Sequence, residues 1–353
     1  MPRPRNLAFA AISFAAVAGL AVAQPATAPQ TATGAEPAWV APGTPGSPID
    51  GDVFHAQVLL SQAGFSGGVI DGKDGMSFKA ALRGFQQSRG LDQSGKLDGA
   101  TRAALLERNR PSTVTVKLTD KDLSGIGDYV YPFPDEPEGQ AKLDRMSYRN
   151  MLEEVSERYH TTPRTIVALN GPTALIGIGQ TLRLPNVVPA ARDYTGDLKE
   201  EHRALLAGLN VDSQQPDGDY VIVDKSEGLL KVMDENDRLV AQFPVTTGSG
   251  QDPLPLGTWK ATTYAYMPPF HYQPDLFWDV KDSKDDEMLP PGPNGPVGVA
   301  WLDLTKEHYG IHGTPEPQTI GRTESHGCIR MTNWDVLRLS QIVRPGFKAV
   351  FRA

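Results

Sequence analysis

Cys328 is the only cysteine of the chain, and it follows Gly327 and His326, with a second histidine, His312, further upstream. A thiolate is a strong nucleophile, and a nearby imidazole can take the proton from the thiol. Glycine beside a nucleophile lets main-chain N–H groups approach an oxyanion as it develops. These residue types at this spacing predict a cysteine nucleophile, a histidine base and an oxyanion-binding loop within one short stretch.

Three other interpretations of the lone cysteine are available. A single cysteine is often a small buried hydrophobic residue. Together with two histidines it could belong to a zinc site, although that would supply only three ligands at an unusual spacing. In an exported protein, an unpaired cysteine could form a disulfide with another chain. The flanking residues favour the nucleophile over these three interpretations.

The flanking residues also carry a family resemblance. Residues 325–330 read Ser-His-Gly-Cys-Ile-Arg, and residues 311–314 read Ile-His-Gly-Thr. This pair resembles the active-site motifs of the L,D-transpeptidases with YkuD-type catalytic domains, in the same order and at a similar separation. The resemblance implies that Cys328 is the nucleophile and that His312 is the base, with one ring nitrogen held by the main-chain carbonyl of Gly313.

The same resemblance implies roles for the neighbouring residues. Main-chain N–H groups of His326, Gly327 and Cys328 would bind the oxyanion, although His326 could instead carry the proton. Arg330 is suited to a two-pronged interaction with a carboxylate of the substrate, and Ser325 would contact the substrate beside it. The family needs neither a metal nor an organic cofactor, and none is expected here.

The reaction implied by the resemblance takes place on peptidoglycan. The thiol would attack the bond between meso-diaminopimelate and D-Ala in a tetrapeptide stem, release D-Ala and remain as a thioester. A diaminopimelate amine of a second stem, giving a 3-3 crosslink, or a lysine of a murein-anchored lipoprotein would then accept the acyl group. Two alternatives stay open: water as acceptor would make an L,D-carboxypeptidase or endopeptidase, and a chain without chemistry would be a murein-binding scaffold.

The N-terminal segment predicts export. Arg3 and Arg5 precede an apolar run that ends in the small-residue motif of residues 21–23, which is typical of a signal peptide over residues 1–23. Residues 24–48 are rich in Pro, Ala, Thr and Gly and predict a flexible linker. We therefore expect a periplasmic protein, free or associated with the sacculus. The net charge of −8 disfavours nucleic acid as a partner.

Residues 49–110 show helical periodicity. Apolar side chains recur at helical spacing in three successive stripes, of which Phe78, Leu82 and Phe85 form the second. Together with the phrase Val-Ile-Asp-Gly at residues 69–72, this arrangement resembles the three-helix peptidoglycan-binding domain of type 1. The resemblance implies binding to glycan strands or stem peptides, and a small helical bundle without a ligand is the alternative.

A second small module is predicted over residues 127–188, after a polar connection. It reads as two helices and a strand, and Leu169-Asn170 followed by Gly-Gln-x-Leu-x-Leu-Pro at residues 179–185 resembles the second half of a LysM-type glycan-binding module. The first half departs from that family, so a structural spacer is an equal alternative. Both front modules are expected to tether the chain near its polymeric substrate without touching the reaction.

Residues 217–353 switch to the two-residue period of strands. Three apolar runs separated by short polar turns between residues 220 and 243 predict a β-meander, and the resemblance implies a mainly-β catalytic sandwich. The Pro-, Gly- and aromatic-rich segment 264–299 predicts either a lid, with Tyr272 and Trp278 lining the substrate channel, or a loop packed on its own aromatics. The predicted fold is thus multidomain: a three-helix bundle, a small α/β module and this catalytic domain.

Overall fold

The structure is a computed structural model that describes residues 49, 51–123, 127–277, 280 and 285–353. The predicted signal peptide, the predicted linker and Trp278 lie outside the described residues. Within the part of the chain that is described, no helix combines the length and apolarity needed to cross a membrane. In chain order the elements are α1 (Gly51–Gln62), α2 (Met76–Ser88), α3 (Gly99–Leu106), β1 (Thr113–Lys117), α4 (Pro137–Gln140), α5 (Met151–Arg158), α6 (Pro163–Asn170), β2 (Thr181–Pro185), α7 (Glu200–Gly208), β3 (Tyr220–Asp224), β4 (Leu229–Met233), β5 (Leu239–Pro244), β6 (Gly257–Tyr266), β7 (Phe270–Tyr272), β8 (Glu287–Leu289), β9 (Ala300–Leu304), β10 (Gly310–His312), β11 (Ile329–Arg330), α8 (Asn333–Ile342) and β12 (Lys348–Arg352).

The first unit, from α1 to α3, is helical where the sequence predicted helical stripes. The apolar face of α2 buries Phe78, Leu82 and Phe85, because residues three and four apart share one side of a helix. The side chain of Asp98 caps α3 by accepting a hydrogen bond from the N–H of Thr101 at 2.9 Å. The predicted periodicity therefore places these helices correctly.

The middle unit combines one small antiparallel sheet with the helices α5 and α6. Strand β1 pairs with β2 along its whole length, from Thr113 opposite Pro185 to Lys117 opposite Thr181. The sequence prediction started this unit at residue 127 and treated residues 111–137 as a connection, but β1 already belongs to it. Because the partner strand lies far along the chain, the short run of β1 gave no sign of its pairing. The likeness to a LysM-type module stays a prediction.

The C-terminal unit is built on one eight-stranded sheet in the order β11-β10-β9-β6-β12-β3-β4-β5. The predicted meander is the β3-β4-β5 edge of this sheet. The two edges of the sheet meet, because the segment after β5 forms bridges from Thr246 to Arg330 and from Gly248 to Ser325. The domain is therefore mainly β, as predicted, and the sandwich expected from the sequence takes the form of one curled sheet with α8 packed against β9 and β10.

The interiors of the three units are continuous. Met233 and Leu239, from β4 and β5, pack in one apolar cluster with Phe85 of the first unit. Ile70 of the first unit packs in another cluster with Val155 of the middle unit. The front units are thus packed parts of a single compact body, and their role as tethers to the substrate stays a prediction.

The middle and catalytic units also contact each other through their main chains. The N–H of Met146 donates to the carbonyl oxygen of Pro291, and the N–H of Asn294 donates to that of Met146, both at 3.0 Å. Between these two bonds, a Cβ added to Gly292 would lie only 2.1 Å from the carbonyl oxygen of Met146. The absence of a side chain at Gly292 is what allows this close approach.

Gly292→Ala is therefore expected to lower the melting temperature of the whole chain by several degrees. The added methyl group forces apart the main chains of two units, and overpacking of this kind costs about 1–3 kcal/mol. Differential scanning calorimetry measures the effect. Gly250→Ala is the matched control, because no heavy atom lies within 4 Å of a Cβ added there. Equal melting temperatures for the two variants would contradict the tight packing of the units.

Candidate active site

Cys328 lies at the end of a tight loop that the closure of the sheet holds in place. The N–H of Ser325 donates to the carbonyl oxygen of Thr247 at 3.0 Å, and the N–H of Ser249 donates to that of Ser325 at 3.1 Å. The hydroxyl of Ser325 is buried and donates to the carbonyl oxygen of Cys328 at 2.6 Å. Ser325 therefore shapes the loop, and its contact with substrate stays a prediction.

Gly327 gives this loop its conformation. Its φ of 100° lies in the left-handed region, and an added Cβ would lie 2.6 Å from the ring of Tyr309, so a side chain is disfavoured on both counts. The main-chain N–H groups of Gly327 and Cys328 make no hydrogen bond to any residue that the structure describes. Two adjacent N–H groups of this kind can bind an oxyanion.

His312 is buried at the end of β10, and its ring is fixed from two sides. Nδ1 lies 2.7 Å from the carbonyl oxygen of Gly313. A carbonyl oxygen only accepts hydrogen bonds, so Nδ1 carries the proton in the neutral ring and Nε2 keeps its lone pair. The indole of Trp301 stacks on the imidazole, with 5.3 Å between centroids and 18° between planes. The sequence-based prediction of the Gly313 contact thus agrees with the geometry.

His312 ends β10, and Cys328 directly precedes β11, the strand that pairs parallel with β10. In the pairing of β10 with β11, His312 stands opposite Arg330, and Ile311 stands opposite Ile329, the residue after Cys328. The sulfur of Cys328 lies 3.7 Å from the carbonyl oxygen of His308. In the described chain, no group of three or more His, Cys, Asp or Glu side chains is gathered as ligands of a metal ion.

Burial decides the protonation of both groups. It raises the pKa of the Cys328 thiol, and the N–H of Gly310 and the charge of Arg330 oppose that rise only in part. Burial, followed by the positive charge of Arg330, lowers the pKa of His312 to about 3, against the opposing hydrogen bond to Gly313. Burial therefore favours a neutral thiol and a neutral imidazole at pH 7.

Arg330 lies beside both reacting groups. Its guanidinium is half-buried, and burial lowers its pKa, while Cys328 and Glu316 are near enough to oppose that shift. Its backbone pairs with Thr246 in the closing bridge of the sheet, with N–O distances of 2.9 and 3.0 Å. The geometry thus supplies one fixed cation at the site, which is the feature that binding of a carboxylate requires.

The segment predicted as a lid reaches the site through aromatic contacts. Strands β7 and β8 form a hairpin in which Phe270 pairs with Leu289. Tyr272 stacks on Phe277 with 5.4 Å between centroids, and Phe277 contacts the ring of His326 edge-on at 5.0 Å. The described part of the segment therefore packs on its own aromatics and contacts His326, and a lid over bound substrate stays a prediction.

Several residues of the site were not singled out from the sequence. Trp301 stacks on His312, Tyr309 lies over Gly327, and the main chain of His308 contacts the thiol. Gly310 must be small because an added Cβ would lie 2.4 Å from the indole of Trp301. The weak signal for these residues was their position on β9, on β10 and in the turn that joins these two strands directly before the His312 motif.

The pH dependence of Cys328 alkylation follows from the neutral resting site. Because burial raises the pKa of the thiol, the iodoacetamide rate should rise steadily through neutral pH, with a midpoint above the ordinary thiol value of about 8.5. The lone cysteine makes the labelled mass unambiguous. Arg330→Met should move the midpoint further up, because it removes a charge that stabilises the thiolate. A rate plateau below pH 7 would instead demonstrate a thiolate–imidazolium pair.

Comparisons with known proteins agree with this geometry. Residues 218–351 match the family described as L,D-transpeptidase catalytic domain, and residues 50–105 match that described as "Putative peptidoglycan binding domain". "Putative L,D-transpeptidase YkuD" of Bacillus licheniformis is 38% identical over 112 residues, which are 32% of this chain and 53% of that protein. "Putative L,D-transpeptidase YqjB" of Bacillus subtilis is 29% identical over 140 residues, 38% of this chain and 72% of that protein.

The match is thus partial in length, and it spans about half of the B. licheniformis relative. Among solved structures, L,D-transpeptidase 3 from Mycobacterium tuberculosis is similar over 38% of this chain and 60% of its own chain. The sequence identity is 15% and the TM-score is 0.32. This overlap is too weak to support a functional inference. The sequence matches thus agree on similarity to the YkuD-type L,D-transpeptidase catalytic domain over residues 218–351 and to a peptidoglycan-binding domain over residues 50–105.

Proposed function

We propose that this protein is a peptidoglycan L,D-transpeptidase that works through a thioester on Cys328. The observation that carries the proposal is the position of a lone cysteine directly before β11, the strand paired with β10, where the buried His312 has its Nδ1 held by the carbonyl of Gly313. Nε2 of His312 is then the proton acceptor. The N–H groups of Gly327 and Cys328, which bond to no residue that the structure describes, would bind the oxyanion. A nucleophile, a base and an oxyanion site are the three features that acyl transfer needs.

Acylation begins when the sulfur of Cys328 attacks the carbonyl carbon between meso-diaminopimelate and D-Ala, while Nε2 of His312 takes the thiol proton. The N–H groups of the loop bind the resulting oxyanion. The C–N bond then breaks, and the imidazolium gives its proton to the leaving amine of D-Ala. An imidazolium with a pKa of about 3 is a strong acid, so this return of the proton is favourable.

Deacylation reverses the roles with a second substrate. The incoming amine attacks the thioester carbonyl, His312 accepts a proton from the amine, and the C–S bond breaks to restore the neutral thiol. With a diaminopimelate amine the product is a 3-3 crosslink, and with a lipoprotein lysine it is an anchored lipoprotein. Arg330 is proposed to hold a stem carboxylate in both half-reactions, and the aromatic hairpin with Tyr272 is proposed to cover the bound stem.

Peptidoglycan is the proposed partner of the front units as well. The match of residues 50–105 to a peptidoglycan-binding family supports contact with the polymer, and the middle unit is proposed as a further glycan-binding module of the LysM type. Export by the predicted signal peptide would bring the chain to this substrate in the periplasm. Because the units are packed together, the polymer would be held at a fixed position relative to Cys328.

The nucleophile is tested by mixing the protein with purified disaccharide-tetrapeptide and measuring the products by mass spectrometry. The intact protein is expected to release D-Ala and form a crosslinked dimer, whereas Cys328→Ser should lose at least about two orders of magnitude in rate, because an alcohol is far less acidic than a thiol. Release of D-Ala without a dimer would identify a carboxypeptidase. Wild-type activity of the Ser variant would contradict the proposal.

A carbapenem gives an independent test of the same cysteine. Its strained amide should acylate Cys328, so that the intact mass increases by one drug molecule on the peptide that contains this residue. EDTA should leave the reaction unchanged, because a mechanism that uses only side chains and main chain needs no metal. Formation of the adduct on a serine, or only with added metal, would show that the proposed chemistry is incorrect.

The two histidines are separated by their effects on acylation. His312→Ala should slow acylation by roughly 100-fold, because it removes the proton acceptor, and the alkylation midpoint of Cys328 should change little because the lost ring was neutral. His326→Ala should have a milder effect if only its main chain contributes. Acylation rates measured with a carbapenem decide between them. A larger loss for His326→Ala would assign the base to that residue.

A further inference from the structure

A buried carboxyl group from the middle unit reaches into the catalytic unit. Glu157 lies on α5, and its Oε1 accepts a hydrogen bond of 2.7 Å from Nδ2 of Asn333, the first residue of α8. Its Oε2 accepts a hydrogen bond of 2.5 Å from the hydroxyl of Tyr148. All three side chains are buried, and burial raises the pKa of Glu157 to about 8. A group this costly to bury requires an explanation.

The side chain of Asn333 packs directly against Gly313. Its Oδ1 accepts a hydrogen bond of 3.1 Å from the N–H of Val299. The same oxygen would lie 2.0 Å from a Cβ on Gly313 and 1.9 Å from a Cβ on Gly298. Both glycines are therefore small because the Asn333 amide occupies the space where their side chains would be.

The contact between Asn333 and Gly313 affects His312, the proposed base, through the peptide group that carries the Gly313 carbonyl. The carbonyl of Gly313 is the acceptor for Nδ1 of His312, and glycine has the least restricted backbone of any residue. Packing of the Asn333 amide restricts rotation of that peptide, and Glu157 and Tyr148 hold the amide in turn. If the Gly313 carbonyl turned away, Nδ1 would lose its acceptor and the proton could move to Nε2. His312 would then be unable to accept the thiol proton.

We propose that Glu157 and Tyr148 are positioning residues for His312 and act on it through Asn333 and the main chain of Gly313. This inference rests on the proposed role of His312 as the base. Neither residue touches the reacting atoms, and their contribution is the orientation and tautomer of the imidazole. The middle unit would thus take part in catalysis in addition to any binding of peptidoglycan.

The test compares full-length variants in the rate of carbapenem acylation at saturation and in the concentration that gives half of that rate. Glu157→Leu removes the shorter of the two hydrogen bonds that the Asn333 amide donates and leaves the one to the carbonyl oxygen of Pro293 at 3.2 Å. The saturating rate should fall roughly 10- to 100-fold while the half-saturating concentration stays the same. Glu157→Gln keeps an oxygen that can accept from Asn333, so it should recover most of the rate. Tyr148→Phe should give a smaller loss.

Ser66→Ala is the matched control. The hydroxyl of Ser66 also crosses from a front unit to α8, where it donates a buried hydrogen bond of 2.7 Å to Asp335, but it does not contact Gly313. This variant should lose stability without slowing acylation. Nitrogen-15 spectra of histidine-labelled protein add a second readout: His312 should hold its proton on Nδ1 in the wild type and divide it between both nitrogens in Glu157→Leu.

Each outcome leads to a distinct conclusion. Equal slowing by Glu157→Leu and Ser66→Ala, for equal losses of melting temperature, would mean that Glu157 only stabilises the fold, and the inference would be overturned. If Glu157→Leu does not unfold cooperatively, Tyr148→Phe replaces it, and an unchanged rate in that variant overturns the inference. A wild-type protein that is not acylated at Cys328 would instead overturn the proposed function.

Discussion

The backbone pairing of Thr246 with Arg330 closes the curled sheet, and the geometry of the site depends on it. Two hydrogen bonds, at 3.0 and 2.9 Å, join the segment after β5 to β11. The loop from Ser325 to Cys328 therefore lies between this closure on one side and the pairing with β10 on the other. Main-chain hydrogen bonds leave little freedom of orientation, so the loop N–H groups are directed before substrate arrives.

The same enclosure makes the resting site unreactive. Burial disfavours the thiolate of Cys328 and the imidazolium of His312 alike, which raises the first pKa and lowers the second. Arg330 cannot produce a charged pair, because its positive charge stabilises the thiolate and destabilises the imidazolium at the same time. In the proposed reaction the charges would therefore develop only as the carbonyl is attacked, when the main-chain N–H groups could stabilise the oxyanion.

The front units pack against the catalytic unit and share apolar clusters with each other and with it. The apolar clusters cross the boundaries between units, and Trp334 of α8 is fully buried with the imidazole of His160 from the middle unit stacked on it at 5.0 Å. Removing residues 24–190 would expose this surface, so such a truncation would test folding as much as binding. With this fixed arrangement, a polymer bound by a front unit as proposed would be held at a constant position relative to Cys328.

The sequence by itself indicated those candidate catalytic residues and structural elements whose patterns span only a few neighbouring residues. Cys328, His312 and Gly313 lie in two short motifs, and the helices and the meander follow from periodicities of a few residues. Tertiary structure alone decided the closure of the sheet, the buried role of Ser325 and the reach of Glu157 to Asn333, which is separated from it by 176 residues. The physical reason is that a two-residue or four-residue period reports which face of an element is buried but not what it packs against. Contacts between residues far apart in the chain, and the low pKa of His312 that results from burial, arise only when the units pack together.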